Sequence, residues 1–342
     1  MDQTALSMTD VAFAAGFASI RQFNATMQAA YGCRPTDLRR GDQVGVVGGG
    51  ELGLRLSYRP PFAADVLLAY LARRTIPGVE EVVDGRYRRT VALPRSRGTI
   101  ELEPQADTSS VLLRVCLDDL RDLGLLSQRC RQLFDLESDP LPIGQILAAD
   151  PLLAPLIAVR PGIRVPGTID GFELAVRAIV GQQISVAGAR TLLGRLVNKL
   201  GAPLAAPRGA LTHFFPSAAV VAESDLKGIG LTAARATSLL ALAQAVATGT
   251  LMLDRGADRE KTQARLLAVP GVGPWTASYI AMRALGDPDA LPATDLGLRR
   301  ALERYGVDGA ARVLTARAEA WRPWRASGCP IPTRRRLYEC LP

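Results

Sequence analysis

Histidine is nearly absent. Among 342 residues there is one, His213, so a Ser-His-Asp triad or a polyhistidine metal centre would have to rest on that residue alone. It lies in L-T-H-F-F-P-S, which reads as a loop entering a helix, and is expected to be structural or surface. The five cysteines (Cys33, Cys116, Cys130, Cys329, Cys340) are scattered without a C-x-x-C pair. That spacing argues against structural zinc and a disulfide framework and fits a reducing cytoplasm. No metal and no cofactor are expected. Although 48% of the residues are apolar, no apolar run is long enough to span a membrane, and no secretory signal opens the chain. Acidic residues are the minority: Lys and Arg number 41 against 33 Asp and Glu, giving a net charge of +8. That surplus favours a polyanionic partner. The length implies two or three domains with a substantial core.

What is there is concentrated between Leu266 and Leu302, in L-L-A-V-P-G-V-G-P-W-T-A-S-Y-I-A-M-R-A-L-G-D-P-D-A-L-P-A-T-D-L-G-L-R-R-A-L. Pro270 stops an apolar helix, because it lacks an amide donor and restricts its predecessor. Gly271 and Gly273 admit positive φ, and Pro274 suits the first turn of the next helix. The turn therefore aims backbone amides outward at a helix N-terminus, where a phosphate can sit. Such contacts hold nucleic acid without reading its sequence. Trp275 and Tyr279 are four apart and share a helix face, either as core or as a platform on which a base stacks. Asp295 precedes an apolar-periodic run. It is either a helix N-cap, worth about 1 kcal/mol, or an anion kept ionised by the helix dipole. A carboxylate of that kind is what glycosidic cleavage needs, since the departing base leaves positive charge on the sugar.

On these residues the chain resembles the helix–hairpin–helix DNA glycosylase superfamily that includes endonuclease III. The wording L-x-x-V-P-G-V-G-P-W-T-A-x-Y is most similar to the DNA-3-methyladenine glycosylase II family. The resemblance implies that Asp295 is catalytic, that Trp275 and Tyr279 line the base pocket, and that Gly271 and Gly273 hold the DNA backbone. Strand-cutting relatives carry a lysine where Trp275 stands, and no lysine follows Lys261 here. Base excision without a lyase step is therefore expected. The iron–sulfur members end in four spaced cysteines, which this tail lacks.

The resemblance extends over about residues 51–324. Leu52, Leu54 and Leu56 alternate as in a half-buried strand. Phe62–Arg73 reads as a helix, and Val79–Val83, Arg86–Leu93, Gly98–Glu103 and Val111–Cys116 read as strands separated by turn signals. An antiparallel sheet backed by a helix follows. S-Y-R-P-P-F and A-Y-L-A-R-R-T-I-P-G-V-E resemble the family's N-terminal domain, which implies a pocket role for Tyr70; its alternative is a core contact. From Asp118 the chain reads as helical. R-P-G-I-R-V-P-G-T-I-D-G-F-E-L-A-V-R-A-I-V-G-Q-Q-I-S-V-A-G-A-R follows the same family, whose loop here wedges a side chain into the duplex. The aligned position is Gln183, polar where an apolar wedge is familiar, with Ile184 sharing the work. Leu226–Leu239 resembles a weaker copy of the hairpin or a buried helix corner.

Residues 1–41 contain A-x-x-x-G-F-x-S-x-x-x-F-N and Y-G-x-x-P-x-x-L-R. They resemble the second helix–turn–helix of AraC-type regulators, which implies that Ser19, Ile20, Arg21, Gln22 and Asn24 lie at the start of a recognition helix. Only one of that family's two units is present, and the chain reads as the trailing part of a longer regulator–glycosylase fusion. After A-W-R-P-W-R the tail departs from the glycosylase family: Gly328, Pro330 and Pro332 break the helix expected there.

The fold class expected is α+β, mostly α. Its parts are a partial helix–turn–helix (1–41), a glycine-rich linker (42–50), an antiparallel sheet-plus-helix domain (51–117), a helical helix–hairpin–helix domain (118–325) and an atypical tail (326–342). The function expected is monofunctional excision of alkylated bases from duplex DNA by a monomer in the bacterial cytoplasm, associated with the nucleoid. The rival reading is a regulator or non-catalytic lesion-binding remnant.

Overall fold

In the computed structural model residues 51–329 are described throughout, together with 19–31, 46–47 and the single positions 9 and 12. Most of the first helix of the helix–turn–helix, its glycine turn, Cys33 and the tail beyond Cys329 lie outside the described residues.

Alternation of leucine with small or polar residues makes Glu51–Ser57 a strand (β2) with Leu52, Leu54 and Leu56 buried and Arg55 exposed. Burial of one face fixes its register, because a slip of one residue would turn every leucine to water. Leu54 lies opposite Leu113 and Leu52 opposite Val115 of Ser110–Leu117 (β6). The sheet runs in the order β1-β2-β6-β5-β4-β3 and every pairing is antiparallel. Its other strands are Val46–Val47 (β1), Glu80–Val83 (β3), Arg86–Ala92 (β4) and Arg97–Gln105 (β5). Helix α2, Ala64–Arg74, packs on it through Val66, Leu67, Tyr70 and Leu71. Helix α1, Ile20–Tyr31, lies against β2 with Phe23 and Met27 buried.

Two expectations are corrected. The stretch read as a linker, 42–50, contributes β1, with Val46 opposite Leu52; valines beside an open strand edge extend the ladder despite the surrounding glycines. Second, the chain after Asp118 is not wholly helical. Pro203–Arg208 (β7) and Leu211–His213 (β8) form a hairpin, so His213 ends a strand instead of leading directly into a helix. It hydrogen-bonds Thr212 Oγ1 through Nδ1 at 2.9 Å.

The remaining elements are helices. Leu123–Leu133 (α3), Pro140–Leu147 (α4), Ala154–Val159 (α5), Gly171–Val180 (α6) and Val186–Leu200 (α7) precede the hairpin. Ala218–Ala222 (α8), Ala233–Ala247 (α9), Arg259–Ala268 (α10), Pro274–Arg283 (α11), Leu296–Arg304 (α12), Ala311–Ala318 (α13) and Arg325–Gly328 (α14) follow it. Asp170, Ser185, Thr232 and Asp258 each accept a backbone amide as N-caps, which satisfies donors the helix leaves open. Helix α6 is buried on nearly every side and contacts α7, α9 and α11.

Sheet and helices are joined by buried charge. Arg89 of β4 donates to Glu173 of α6 at 2.5 Å and to Glu80 at 3.3 Å. Arg177, one turn along α6, meets Glu80 at 2.5 Å and Glu173 at 2.6 Å. Burial raises the Glu80 carboxyl, but Arg177 and Arg89 outweigh it and hold the group down at about 2. Removing one member of such a set leaves an uncompensated buried charge, at about 3–5 kcal/mol. Glu173→Ala is accordingly expected to lose about that much stability in urea unfolding. The double change Arg89→Met with Glu173→Leu leaves Glu80 paired with Arg177 and is expected to cost less than Glu173→Ala; an equal or larger loss would contradict the pairing.

Candidate functional site

The helix α10 ends at Ala268, and Pro270 is followed by Gly271 at φ +77°. That left-handed value is unfavourable for a side chain. A Cβ there would also lie 2.4 Å from Ser238 Oγ on α9. Gly273, expected to share the positive φ, instead sits at φ −92° as the N-cap of α11, and Pro274 begins the helix. No side chain caps α11.

In the first turn of α11 the ring of Trp275 stacks on Tyr279, with centroids 5.5 Å apart and planes 14° from parallel. Trp275 is half-buried, whereas Tyr279 is buried. The indole Nε1–H donates to Asp295 Oδ2 at 3.0 Å. The other carboxylate oxygen, Oδ1, accepts the backbone amides of Gly297 and Leu298, each at 2.9 Å. Asp295 is thus the N-cap of α12 and, at the same time, the partner of the stacked tryptophan. It is 3% exposed. The helix dipole was expected to keep it ionised. Burial raises its pKa above the usual aspartate value, opposed by the amide of Leu298, the Trp275 indole, the amide of Gly297 and the charge of Arg74. Its three hydrogen-bond partners are all N–H donors, so the cradle accepts the carboxylate form and offers the acid form nothing to donate to.

Tyr70 comes from α2, across the interface between sheet and helices. Its hydroxyl lies 3.4 Å from that of Tyr279. Arg283, on α11, donates to both phenols, to Tyr279 at 2.7 Å, and is held by the carbonyls of Pro166 and Gly167. The Arg283 guanidinium lies 5.1 Å from the Tyr70 ring and 5.5 Å from the Tyr279 ring; that of Arg74 lies 4.0 Å from the Tyr70 ring. Burial raises the Tyr70 phenol, but Arg283 and Arg74 outweigh it and hold its pKa below the usual tyrosine value. Burial prevails at Tyr279 and pushes its phenol up. Two of the three aromatics expected to receive a base are therefore already in contact with protein guanidinium groups. Arg74 and Arg283 went unread in the sequence, although each stands four residues after its tyrosine, the spacing of helix neighbours.

A cleft lined by Tyr70, Arg74, Ile184, Arg190, Tyr279 and Arg283 reaches this cluster from the surface. Its rim includes Gly181, where the loop between α6 and α7 begins. Gln183 in that loop is exposed at φ +57°, and Ile184 is half-buried. Ser19, Ile20, Arg21, Gln22 and Asn24 are exposed on and beside α1, apart from this cluster in the chain. Among the described residues no three His, Cys, Asp or Glu side chains lie together as a metal ion would need.

With the geometry in view, comparison with known proteins is direct. Residues 53–170 match the AlkA N-terminal domain, and residues 176–326 match the HhH-GPD superfamily base excision DNA repair protein. The chain is 46% identical over 330 residues to a Mycobacterium tuberculosis protein described as a probable bifunctional transcriptional activator/DNA repair enzyme AlkA. That match covers 95% of this chain and 66% of the relative, so the chain spans about two-thirds of the length of that protein. It is 34% identical over 278 residues to Escherichia coli DNA-3-methyladenine glycosylase 2, covering 79% of this chain and 93% of the relative. Among solved structures, a 3-methyladenine DNA-glycosylase from Archaeoglobus fulgidus superimposes with a TM-score of 0.70 at 21% identity, over 80% of this chain and 95% of that one. That likeness shows the fold.

The two glycines of the hairpin make different demands. Gly271→Ala is expected to lower stability by about 1–3 kcal/mol, from its positive φ and the contact with Ser238. Gly273→Ala, whose Cβ would meet nothing within 4 Å, is expected to stay within about 0.5 kcal/mol. Thermal melts of the two variants side by side check the difference.

Proposed function

The chain belongs to the HhH-GPD superfamily of base excision DNA repair proteins and carries the AlkA N-terminal domain, and from that membership we propose that it is a monofunctional glycosylase removing alkylated bases from duplex DNA. The observation that carries the reading is Asp295, a buried carboxylate held by two helix amides and the indole of Trp275. In the proposed reaction the bond between sugar C1′ and the base nitrogen breaks, and its electron pair leaves with the base. Positive charge develops on the sugar, and the Asp295 carboxylate stabilises it through space. Water then adds at C1′ and gives up a proton.

Three N–H donors occupy three of the carboxylate's roughly four lone-pair directions, which leaves one for the sugar or the attacking water. Because these donors are fixed beforehand, they need no rearrangement as charge develops. Alkylation at N3 or N7 of a purine places positive charge on the base and weakens the glycosidic bond, so modest assistance suffices. Trp275, half-buried, supplies the stacking face for that base. A base reaching Tyr70 would first displace Arg74. The tryptophan at position 275 offers no amine for a Schiff base, which supports hydrolysis without strand cutting. Gly271 and Gly273 would hold the DNA backbone, and Gln183 with Ile184 would fill the space the flipped base vacates, at a cost of roughly a few kcal/mol that damage reduces.

A second DNA contact is proposed for α1. Phe23 and Met27 bury one side of it, and Ser19, Ile20, Arg21, Gln22 and Asn24 remain exposed, as a recognition helix requires. Arg21→Ala combined with Gln22→Ala is expected to weaken binding to undamaged duplex by about threefold or more at fixed salt. Unchanged anisotropy titrations would remove α1 from the interface.

Release of free 3-methyladenine and 7-methylguanine from methylated duplex tests the main reading. Asp295→Asn is expected to lose about 100-fold or more of the wild-type rate; retention of full activity would refute the role. The active form is the carboxylate, so the rate falls as pH drops through its pKa. Burial raises that pKa, which places the acid limb above the range of an ordinary aspartate. Trp275→Phe removes a donor that favours the anion and is expected to move the limb to still higher pH.

A further inference from the structure

The loop from Gly181 to Ser185 holds a non-glycine residue, Gln183, in the left-handed region at φ +57°. Such a conformation persists only where its surroundings over-determine it. Gln182, the residue before it, is where three elements meet. Its side-chain amide donates to the Gly271 carbonyl at 3.0 Å and to Thr276 Oγ1 at 2.9 Å. Its own carbonyl accepts from the guanidinium of Arg235, on the first turn of α9. On the other side of Gln183, Ser185 caps α7 by accepting the Gly188 amide at 3.1 Å. The backbone is thus pinned before and after Gln183, and the exposed Gln183 side chain projects from a fixed base.

The same contacts reach the hairpin. Gly271 is the left-handed residue of its turn, and Thr276 lies in the first turn of α11. Helix α9 closes the arrangement, since Arg235 holds the loop and Ser238 fills the space beside Gly271. Both bonds from the Gln182 side chain end on a carbonyl or hydroxyl oxygen, so neither consumes a hairpin amide that a phosphate would use.

From this geometry we infer that Gln182 and Arg235 are positioning residues that lock the loop carrying Gln183 to the hairpin, so that grip on the DNA backbone sets the place where Gln183 enters the duplex. The inference rests on the glycosylase reading for the role of the loop. The separation from the chemistry is structural. Neither residue bonds to Asp295, Trp275 or the tyrosines in any contact described above. Losing the lock should therefore leave the phosphate grip and the carboxylate in place and disturb only how the duplex is opened.

The test uses the full chain and a duplex with a tetrahydrofuran abasic analogue beside 2-aminopurine, whose fluorescence rises when it unstacks. Wild type is expected to bind and raise the fluorescence. Gln182→Met and Arg235→Ala are expected to bind within about threefold of wild type while giving less than about half the rise, and to release methylated bases about tenfold more slowly in single turnover. Arg235→Lys keeps a donor for the Gln182 carbonyl and is expected to restore most of the rise. A merely structural role would lower the melting temperature and the affinity but leave the rise per bound complex intact, and that result overturns the inference. So does a full rise with full release from Gln182→Met, or the absence of any rise with wild type. If wild type unstacks the probe and Gln182→Met does not, but wild type releases no methylated base, the lock stands and the glycosylase reading fails.

Discussion

The buried exchange of charge between β4, β3 and α6 is the constraint on which the site depends. Arg89 and Arg177 are each shared between Glu80 and Glu173, so the sheet has one permitted position against α6. Arg177 adds a bond to the Arg74 carbonyl at 2.8 Å, which fixes the end of α2. Tyr70 and Arg74 are thereby delivered to the tyrosine pair from a different structural unit. Helix α6 runs on to Gly181 and into the Gln182–Gln183 loop. A polar joint suits this task better than an apolar one. Apolar faces tolerate sliding, whereas four charges largely withdrawn from water satisfy one another in few arrangements.

Charge is handled differently at Asp295. There no cation approaches within ion-pairing distance among the described residues; the carboxylate is held by two backbone amides and one indole. The balance between burial, which disfavours the anion, and these donors, which favour it, leaves its pKa raised. A carboxylate paired with arginine would be a weaker electrostatic partner for a cationic sugar, since its charge would already be answered. Partial dipoles, with the more distant charge of Arg74, favour the anion without an ion pair that would cancel its field, the condition under which, in the proposed reaction, it would act on charge that appears only as the bond breaks.

The hairpin, the stacked pair and the capping aspartate were legible because local rules decide them. Pro270, Gly271 and Pro274 set a turn through backbone sterics, Trp275 and Tyr279 share a face through helical spacing, and Asp295 caps through its side-chain length. The leucine alternation of β2 and the strands of the sheet were legible for the same reason. Contacts between distant segments were not. Arg74 and Arg283 each follow a tyrosine by four residues, but their convergence requires α2 and α11 to meet, and nothing local in either stretch announces the other. The strand at Val46–Val47 was hidden by glycines that usually mark a linker, and the β7–β8 hairpin by the alanine and proline content of P-L-A-A-P-R, which resembles no ordinary strand.

Helix α11 explains why so many roles fall within ten residues. Its N-terminus has no side-chain cap, its first turn carries Trp275 beside Asp295, its second carries Tyr279, and Arg283 ends it bonded to both phenols. A rise of 1.5 Å per residue fixes each of these against the others more closely than a loop could. Under the proposed function, a nucleotide held at the helix start would be offered to the aromatic face and the carboxylate at set distances. Guanidinium groups at the far end bear on what that face accepts. With Arg74 and Arg283 beside the Tyr70 and Tyr279 rings, a cationic base of the proposed kind would meet like charge there and find a more favourable surface on Trp275, which bonds the carboxylate. In the proposed reaction depth of insertion would thus be limited electrostatically as well as sterically, and the charge on the base would draw it toward Asp295.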